Sequence, residues 1–103
     1  MAHLPLTGVP YLIRKTVSSP GTAEQLASVT LGDGFPATFK NRLSNTGNVY
    51  LAKTAAAAQS SSGVRRVLEP GESVEWAIQN LNQIYVDADD STSVLEISYT
   101  LTT

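Results

Sequence analysis

Short alternating runs of apolar and polar residues, separated by turn residues, recur along most of this chain. Three blocks between residues 43 and 86, NTGNVYL, LEPGESVEW and LNQIYV, each join a Gly, Pro or Asn turn signal to a run of strand formers. Seven or eight such runs occur at a spacing of about ten residues, and no convincing long helix interrupts them. This arrangement predicts an all-β fold, a single antiparallel β-sandwich or small barrel.

The length of the chain predicts one domain. Its 103 residues fall within the usual range of a single domain. We expect residues 1–8, which contain Pro5 and lack periodicity, to form an extended N-terminal arm. Residues 9–103 then form the sandwich, with an Ala/Ser-rich loop at 54–63 that is mobile or ordered by a partner. Because the chain has no cysteine to cross-link so small a core, self-association or docking is the expected source of further stability.

Alternation assigns most strands and their buried faces. We expect a strand at 9–17, a second at 25–31, and a hairpin in which 38–43 pairs with 49–53. Further strands are expected at 64–68, 73–78, 83–88 and 95–101. The predicted core consists of Ile13, Phe39, Leu43, Val49, Leu51, Leu68, Val74, Trp76, Ile78, Ile84, Val86, Leu95, Ile97 and Tyr99.

Charge and hydropathy argue against several classes of partner. The formal net charge is -2, and the seven basic residues are dispersed among nine acidic ones, so we expect no direct nucleic-acid partner. No apolar run reaches the roughly 18 residues that span a bilayer, so we expect no membrane partner. The first residues, MAHLPL, have neither a basic nor a continuous apolar region, which argues against a secretory signal.

No group of residues in the sequence predicts a reaction. His3 is the only histidine, and an arm offers it no fixed partner for catalysis or metal binding. The stretch Asp87–Asp90 resembles the start of a calcium-binding loop but lacks the later Gly and Glu, so a solvated turn is the favoured interpretation. The three glutamates between residues 69 and 75 lie at a turn and on a polar strand face, where carboxylates are ordinarily solvated. We therefore expect no enzyme activity, no metal and no cofactor.

Several side chains are candidates for binding a partner protein. Arg65 and Arg66 follow the Ala/Ser-rich loop, and because adjacent strand residues point to opposite faces, at least one of them occupies an unusual position. Tyr50 and Tyr85 lie on the strand faces opposite the predicted core residues Leu51 and Ile84. Tyrosine is favoured at such positions in a protein interface or a sugar-binding platform, although a second, partly covered sheet face explains both residues equally well. The arm adds the apolar residues Leu4, Pro5 and Leu6.

The series of turns and strands from about Leu43 to Tyr99 resembles small structural proteins of tailed bacteriophage particles. The similar elements are NTGNVYL, LEPGESV and LNQIYVD, closed by the strand from Val94 to Tyr99. The resemblance implies a virion structural protein, above all a capsid decoration (cement) protein that binds the head as a homo-oligomer, with a trimer favoured. Its partners would be the major capsid protein or other virion proteins. Its place would be the outer capsid surface, after synthesis in the host cytoplasm.

Other assignments stay open from the residues. A glycan-binding module on a virion appendage would use Tyr50, Trp76 or Tyr85 as stacking platforms. A head-tail connector or tail component carries the same folding signals as a decoration protein. A small hydrolase would show turnover that depends on Glu72 or Asp87, and none is expected.

Overall fold

Eight β-strands and one short α-helix make up the part of the chain that the structure describes. The computed structural model describes residues 8–31, 36–61 and 64–102. In chain order the elements are β1 (Gly8–Val17), β2 (Glu24–Gln25), β3 (Ala37–Asn41), β4 (Val49–Ala52), α1 (Ala55–Gln59), β5 (Arg66–Leu68), β6 (Ser73–Trp76), β7 (Tyr85–Ala88) and β8 (Ser93–Thr102), with a 3-10 turn at Leu81–Gln83. No helix in these ranges is long and apolar enough to cross a bilayer.

The strands form two antiparallel sheets of four strands each, which enclose one hydrophobic core. Sheet A has the order β1-β8-β3-β6 and sheet B the order β2-β7-β4-β5. The buried apolar residues of both sheets face this shared core, as period-two alternation predicts for most strands. The predicted all-β sandwich is therefore confirmed. Within the described ranges its edge strands are β1 and β6 in sheet A and β2 and β5 in sheet B.

Cross-strand register aligns the inner side chains of sheet A in rows. Ile13 lies opposite Ile97, Ile97 opposite Phe39, and Phe39 opposite Val74. Phe39 is fully buried, and its ring centroid lies 5.7 Å from that of Trp76. This row gives sheet A a continuous apolar inner surface, because cross-strand neighbours on one face pack directly against each other.

Most of the predicted core residues are buried. The buried ones are Phe39, Val49, Leu51, Leu68, Ile84, Val86, Leu95, Ile97 and Tyr99. Four others are partly buried and pack against this cluster, namely Ile13, Val74, Trp76 and Ile78. The prediction missed several buried residues, among them Val17, Leu26, Leu31, Ala37 and Leu81.

The predicted hairpin between 38–43 and 49–53 is wrong, because β3 and β4 belong to different sheets. Asn41 ends β3 with its side chain fully buried. The Asn41 amide nitrogen donates to the carbonyls of Gly47 at 3.0 Å and Leu68 at 2.8 Å. These two bonds hold the segment that crosses from sheet A to sheet B, so the turn joins the layers instead of pairing the strands.

Leu43 was predicted to lie in the core, and this prediction is wrong. The Asn45 N–H donates to the Arg42 carbonyl at 3.0 Å, which closes a turn directly after β3. The turn ends the alternation of β3 before Leu43 and carries its side chain to the surface, where it is 74% exposed.

The predicted strand at 25–31 is wrong beyond its first residue. β2 has only two residues, and after it the chain makes isolated backbone bonds, such as the Leu31 N–H to the Gln79 carbonyl at 2.9 Å, and side-chain bonds, such as the Val29 N–H to Asn80 Oδ1 at 3.0 Å. Leu26 and Leu31 are nevertheless buried. This irregular segment therefore contributes to the core without the period that would reveal it.

The Ala/Ser-rich loop predicted at 54–63 contains the helix α1. Thr54 caps the helix, since its hydroxyl accepts a backbone N–H at 3.2 Å. Ala58 is fully buried, and Gln59 Oε1 accepts the Ala23 N–H at 2.7 Å. Packing against β4 and β7 thus stabilises a helix too short to form alone.

The predicted N-terminal arm lies almost entirely outside the described residues. His3, Leu4, Pro5 and Leu6 belong to the part of the chain that is not described. β1 begins at Gly8, so the last predicted arm residue is already part of the sandwich.

Candidate assembly surfaces

β1 is the longest of the described edge strands. It pairs with β8 along its ten residues, and no described strand pairs with its other side. β3 pairs with β8 only from Leu95 to Ser98, so Gly8–Tyr11 and Tyr99–Thr102 continue as a two-stranded ribbon. Two strands alone are marginally stable in water, and no third strand among the described residues supports this ribbon.

The backbone of β1 directs hydrogen-bonding groups away from the sheet. The Val17 carbonyl accepts the Thr92 N–H at 2.9 Å, so the backbone N–H and C=O groups of Val17 point towards β8. Because these groups alternate along a strand, those of the other odd-numbered residues of β1 point the same way. The even-numbered residues then direct their N–H and C=O groups outwards. Pro10, which has no N–H, stands at one of these outward positions, where proline is tolerated. The even residues from 12 to 16 offer a backbone edge to which another strand can bind.

The ribbon also exposes apolar side chains. Val9 and Tyr11 are each 41% exposed, and Leu12, on the opposite face of β1, is 83% exposed. The Tyr11 ring stacks on the Tyr99 ring with centroids 5.3 Å apart, which orders this face without covering it. An edge strand that carries exposed apolar residues is suited to strand-to-strand association.

Tyr50 lies at the centre of a polar cluster on the outer face of sheet B. Its hydroxyl donates to Asp89 Oδ1, and the Arg65 guanidinium carbon lies 3.7 Å from the centroid of its ring. Arg65 Nη1 also donates to the Ala58 carbonyl at 3.0 Å, which ties it to α1. Two predicted partner-binding side chains therefore meet within the chain, and the guanidinium covers one face of the Tyr50 ring.

The pKa of Tyr50 is raised above its ordinary value, first because its hydroxyl donates to Asp89 and second because of burial. We expect Asp89→Asn to lower the Tyr50 pKa, since a neutral amide does not repel the phenolate. Tyrosinate absorbance measured against pH tests this, with Tyr50→Phe identifying the Tyr50 component. Because the folded-state pKa is raised, the contact stabilises the fold below the ordinary tyrosine pKa of about 10 and is lost as pH rises through the raised pKa. An unchanged Tyr50 titration in Asp89→Asn would contradict this cause.

Arg66 lies on the core-facing side of sheet B. It is the cross-strand partner of Leu51, whose side chain is buried in the core, and paired residues share one face of a sheet. Arg66 nevertheless stays exposed, because it starts an edge strand and lines an open groove there. Both adjacent arginines line the groove, and Arg65 also covers the Tyr50 ring.

The groove lies between the start of β5 and the end of β6 and has a volume of about 700 Å³. Trp76 and Ile78 form part of its apolar wall. Lys53, Arg65 and Arg66 supply its charge, and none of the described residues that line it is acidic. The groove therefore favours a partner that combines an apolar side chain with negative charge.

Tyr85 lies apart from both the groove and the β1 edge. It is half-buried in β7, opposite Ala52 in β4 and Gln25 in β2. Its partner-binding role stays a prediction, as do those of Tyr50, Arg65 and the arm.

The acidic residues between 87 and 90 accept hydrogen bonds from distant parts of the chain. Asp87 is buried and not solvated, and its Oδ1 accepts the Gly21 N–H at 2.9 Å. Asp90 Oδ2 accepts the Thr46 hydroxyl at 2.9 Å. Across the described ranges, no three His, Cys, Asp or Glu side chains are grouped so as to hold a metal ion.

Sequence reasoning did not predict that β1 lies at an open edge of its sheet. A signal was present, because Val9 and Tyr11 on one face and Leu12 on the other make β1 apolar on both faces near its start. Strands with two apolar faces are typical of positions covered on both sides. The sheet order shows that among the described strands the outer edge of β1 is open, and the exposure of Val9, Tyr11 and Leu12 shows that neither face is fully covered.

Comparison with known proteins identifies the fold. No protein-family model matches the chain, and no curated protein matches it. Among solved structures, the chain is similar to one described by the words "Bacillus endospore appendages form a novel family of disulfide-linked pili". The TM-score is 0.53 at 14% sequence identity, over 99% of this chain and 94% of that chain. At this identity the likeness shows a shared β-rich fold, and the class that fold and surfaces define is a small β-sandwich with an open strand edge.

Proposed function

We propose that this protein is a non-enzymatic structural subunit whose copies associate strand to strand through β1 into a larger assembly. The observation that carries the proposal is the ribbon of β1 and β8, which combines outward backbone groups with exposed Val9, Tyr11 and Leu12. A strand of a second copy laid against β1 would satisfy these groups and cover the apolar side chains.

The structural neighbour supports an assembly role. It is described as forming pili, and the same fold in this chain leaves strand edges open to a neighbouring copy. The link cannot be a disulfide made by these 103 residues, because they contain no cysteine. Association through backbone hydrogen bonds, repeated over many copies, gains its durability from avidity.

A capsid decoration protein is a more specific form of the same proposal. The resemblance of residues 43–99 to phage structural proteins supports it and implies a homo-oligomer, with a trimer favoured, bound to the major capsid protein on the virion surface. Mass spectrometry of a purified phage particle, with stoichiometry against the major capsid protein, supports this form if the chain is present at regular copy number. Ordered fibres grown from the isolated protein support an appendage instead.

We expect Leu12→Lys to weaken self-association at least tenfold, since a lysine on an edge strand opposes pairing with a second strand. Arg14→Pro should act in the same direction, because it removes an outward N–H from β1 while keeping an edge-compatible residue. Sedimentation over a range of protein concentrations measures the association, and thermal unfolding confirms that each variant is folded.

Val67→Lys is the matched control for the β1 variants. Val67 is 42% exposed, like the ribbon residues, but lies on β5 at a different edge, so its replacement should leave β1 association unchanged. The proposal fails if the wild-type protein stays monomeric at high concentration, or if Leu12→Lys associates as strongly as wild type.

A further inference from the structure

We propose that the groove between β5 and β6 receives the acidic turn of a second copy, so that copies join head to tail. The acidic turn consists of Glu69–Glu72 together with Leu43, which packs beside it. This inference deepens the proposed function, on which it rests, by naming a second contact between copies and the chemistry that recognises it.

The acidic turn combines two exposed glutamates with an exposed leucine beside it, and Glu72 Oε1 accepts the Glu69 N–H at 2.7 Å. Pro70–Gly71 forms the turn that the sequence predicts, with Gly71 at φ 89° and the Glu72 N–H donating to the Glu69 carbonyl at 2.9 Å. Leu43 lies against this turn, since a Cβ added at Gly71 would be 3.1 Å from Leu43 Cδ1, and it is 74% exposed. Glu69 and Glu72 are exposed, and neither forms an ion pair with a described residue.

The groove carries the complementary chemistry. Its apolar wall, with Trp76 and Ile78, can cover a leucine side chain, and its volume of about 700 Å³ exceeds what one leucine fills. Lys53 and Arg66 line it without an ion pair to any described residue. When the acidic turn enters the groove, its glutamates meet positive side chains and no negative ones from the described lining.

The two surfaces lie at opposite ends of the same edge of the sandwich. β5 runs from Arg66 at the groove to Leu68 before the turn, and β6 returns from Ser73 after the turn to Trp76 at the groove. One copy therefore cannot fill its own groove with its own turn. A contact between two different surfaces is heterologous, and its repetition produces a ring or an open filament.

The test is a charge reversal on each surface. Glu69→Lys reverses a charge on the acidic turn, and Arg66→Glu reverses a charge in the groove. We expect each variant to weaken association about tenfold, more strongly at low salt. A mixture of the two variants should associate again, because the unaltered turn of one matches the unaltered groove of the other. Glu75→Lys is the matched control, an exposed glutamate on β6 outside the turn, and should associate like wild type.

The outcomes separate this inference from the proposed function. If Leu12→Lys weakens association while Glu69→Lys and Arg66→Glu do not, the β1 contact stands and the turn-to-groove contact is wrong. If both charge reversals weaken association but their mixture does not restore it, the turn and groove do not bind each other and the inference is also wrong. A wild-type protein that never associates overturns both.

Discussion

Asn41→Ala is expected to lower the free energy of unfolding by about 3–5 kcal/mol, because it removes the side-chain donor of the Gly47 and Leu68 carbonyls and one of the two bonds made by the Asn45 amide nitrogen, which also donates to the Val94 carbonyl. The Asn41 amide donates to the Gly47 and Leu68 carbonyls, and its Oδ1 accepts from Asn45 Nδ2 at 2.6 Å. Alanine makes none of these bonds, and because the position is fully buried, solvent does not replace them. Urea denaturation of wild type and variant measures the difference.

Asn82→Ala is the matched control for Asn41→Ala. Asn82 is half-buried, and its side chain forms no hydrogen bond with a described residue, so its replacement should change stability by less than about 0.5 kcal/mol. A double-mutant cycle with Asn45→Ala should show a coupling of about 1 kcal/mol, since Asn45 bonds directly to Asn41. A loss below about 1 kcal/mol for Asn41→Ala would show that the crossing between sheets does not depend on this residue.

Phe39→Ala is expected to destabilise the fold by about 3–5 kcal/mol, the usual cost of removing a fully buried aromatic ring. Phe39 is central in sheet A, between Ile97 and Val74, and its ring packs on Trp76. The cavity left by the ring cannot collapse easily, because both neighbouring strands are held by backbone pairing. Urea denaturation measures the loss, and a red-shifted Trp76 fluorescence should accompany greater solvent access.

Leu43→Ala is the comparison for Phe39→Ala, because the sequence predicts that both residues are buried in the core. Since Leu43 is 74% exposed, its truncation should change the free energy of unfolding by less than about 0.5 kcal/mol. Equal losses for Phe39→Ala and Leu43→Ala would contradict the observed burial. The same Leu43 variant should weaken head-to-tail association, so one substitution reports on stability and docking separately.

Local signals account for the parts of the fold that were predicted. Residue types and a period of two, which operate over a few residues, predict the Pro70–Gly71 turn, the burial of Phe39 and the strand β7. The helix α1 was not predicted because its stability comes from burying Ala58 against strands, and a five-residue alanine segment has no such support of its own.

The candidate surfaces were predicted only in part. Arg65, Arg66 and Tyr50 were named from their positions, but that Arg65 stacks on Tyr50 while Arg66 lines the groove depends on strand pairing. The open edge of β1 was not predicted, because a strand pattern does not state which neighbours a strand will have.

The sequence by itself determined that this chain is an all-β protein, where most of its strands and turns fall, and which side chains are apolar enough to bury. The tertiary structure alone decided that β3 pairs with β8 and β6 and not with β4. The physical reason is the buried amide of Asn41, whose bonds reach residues 6 and 27 positions away and hold the chain as it crosses between the sheets. That crossing places β4 and β5 in sheet B while β6 stays in sheet A, and so sets the two sides of the groove.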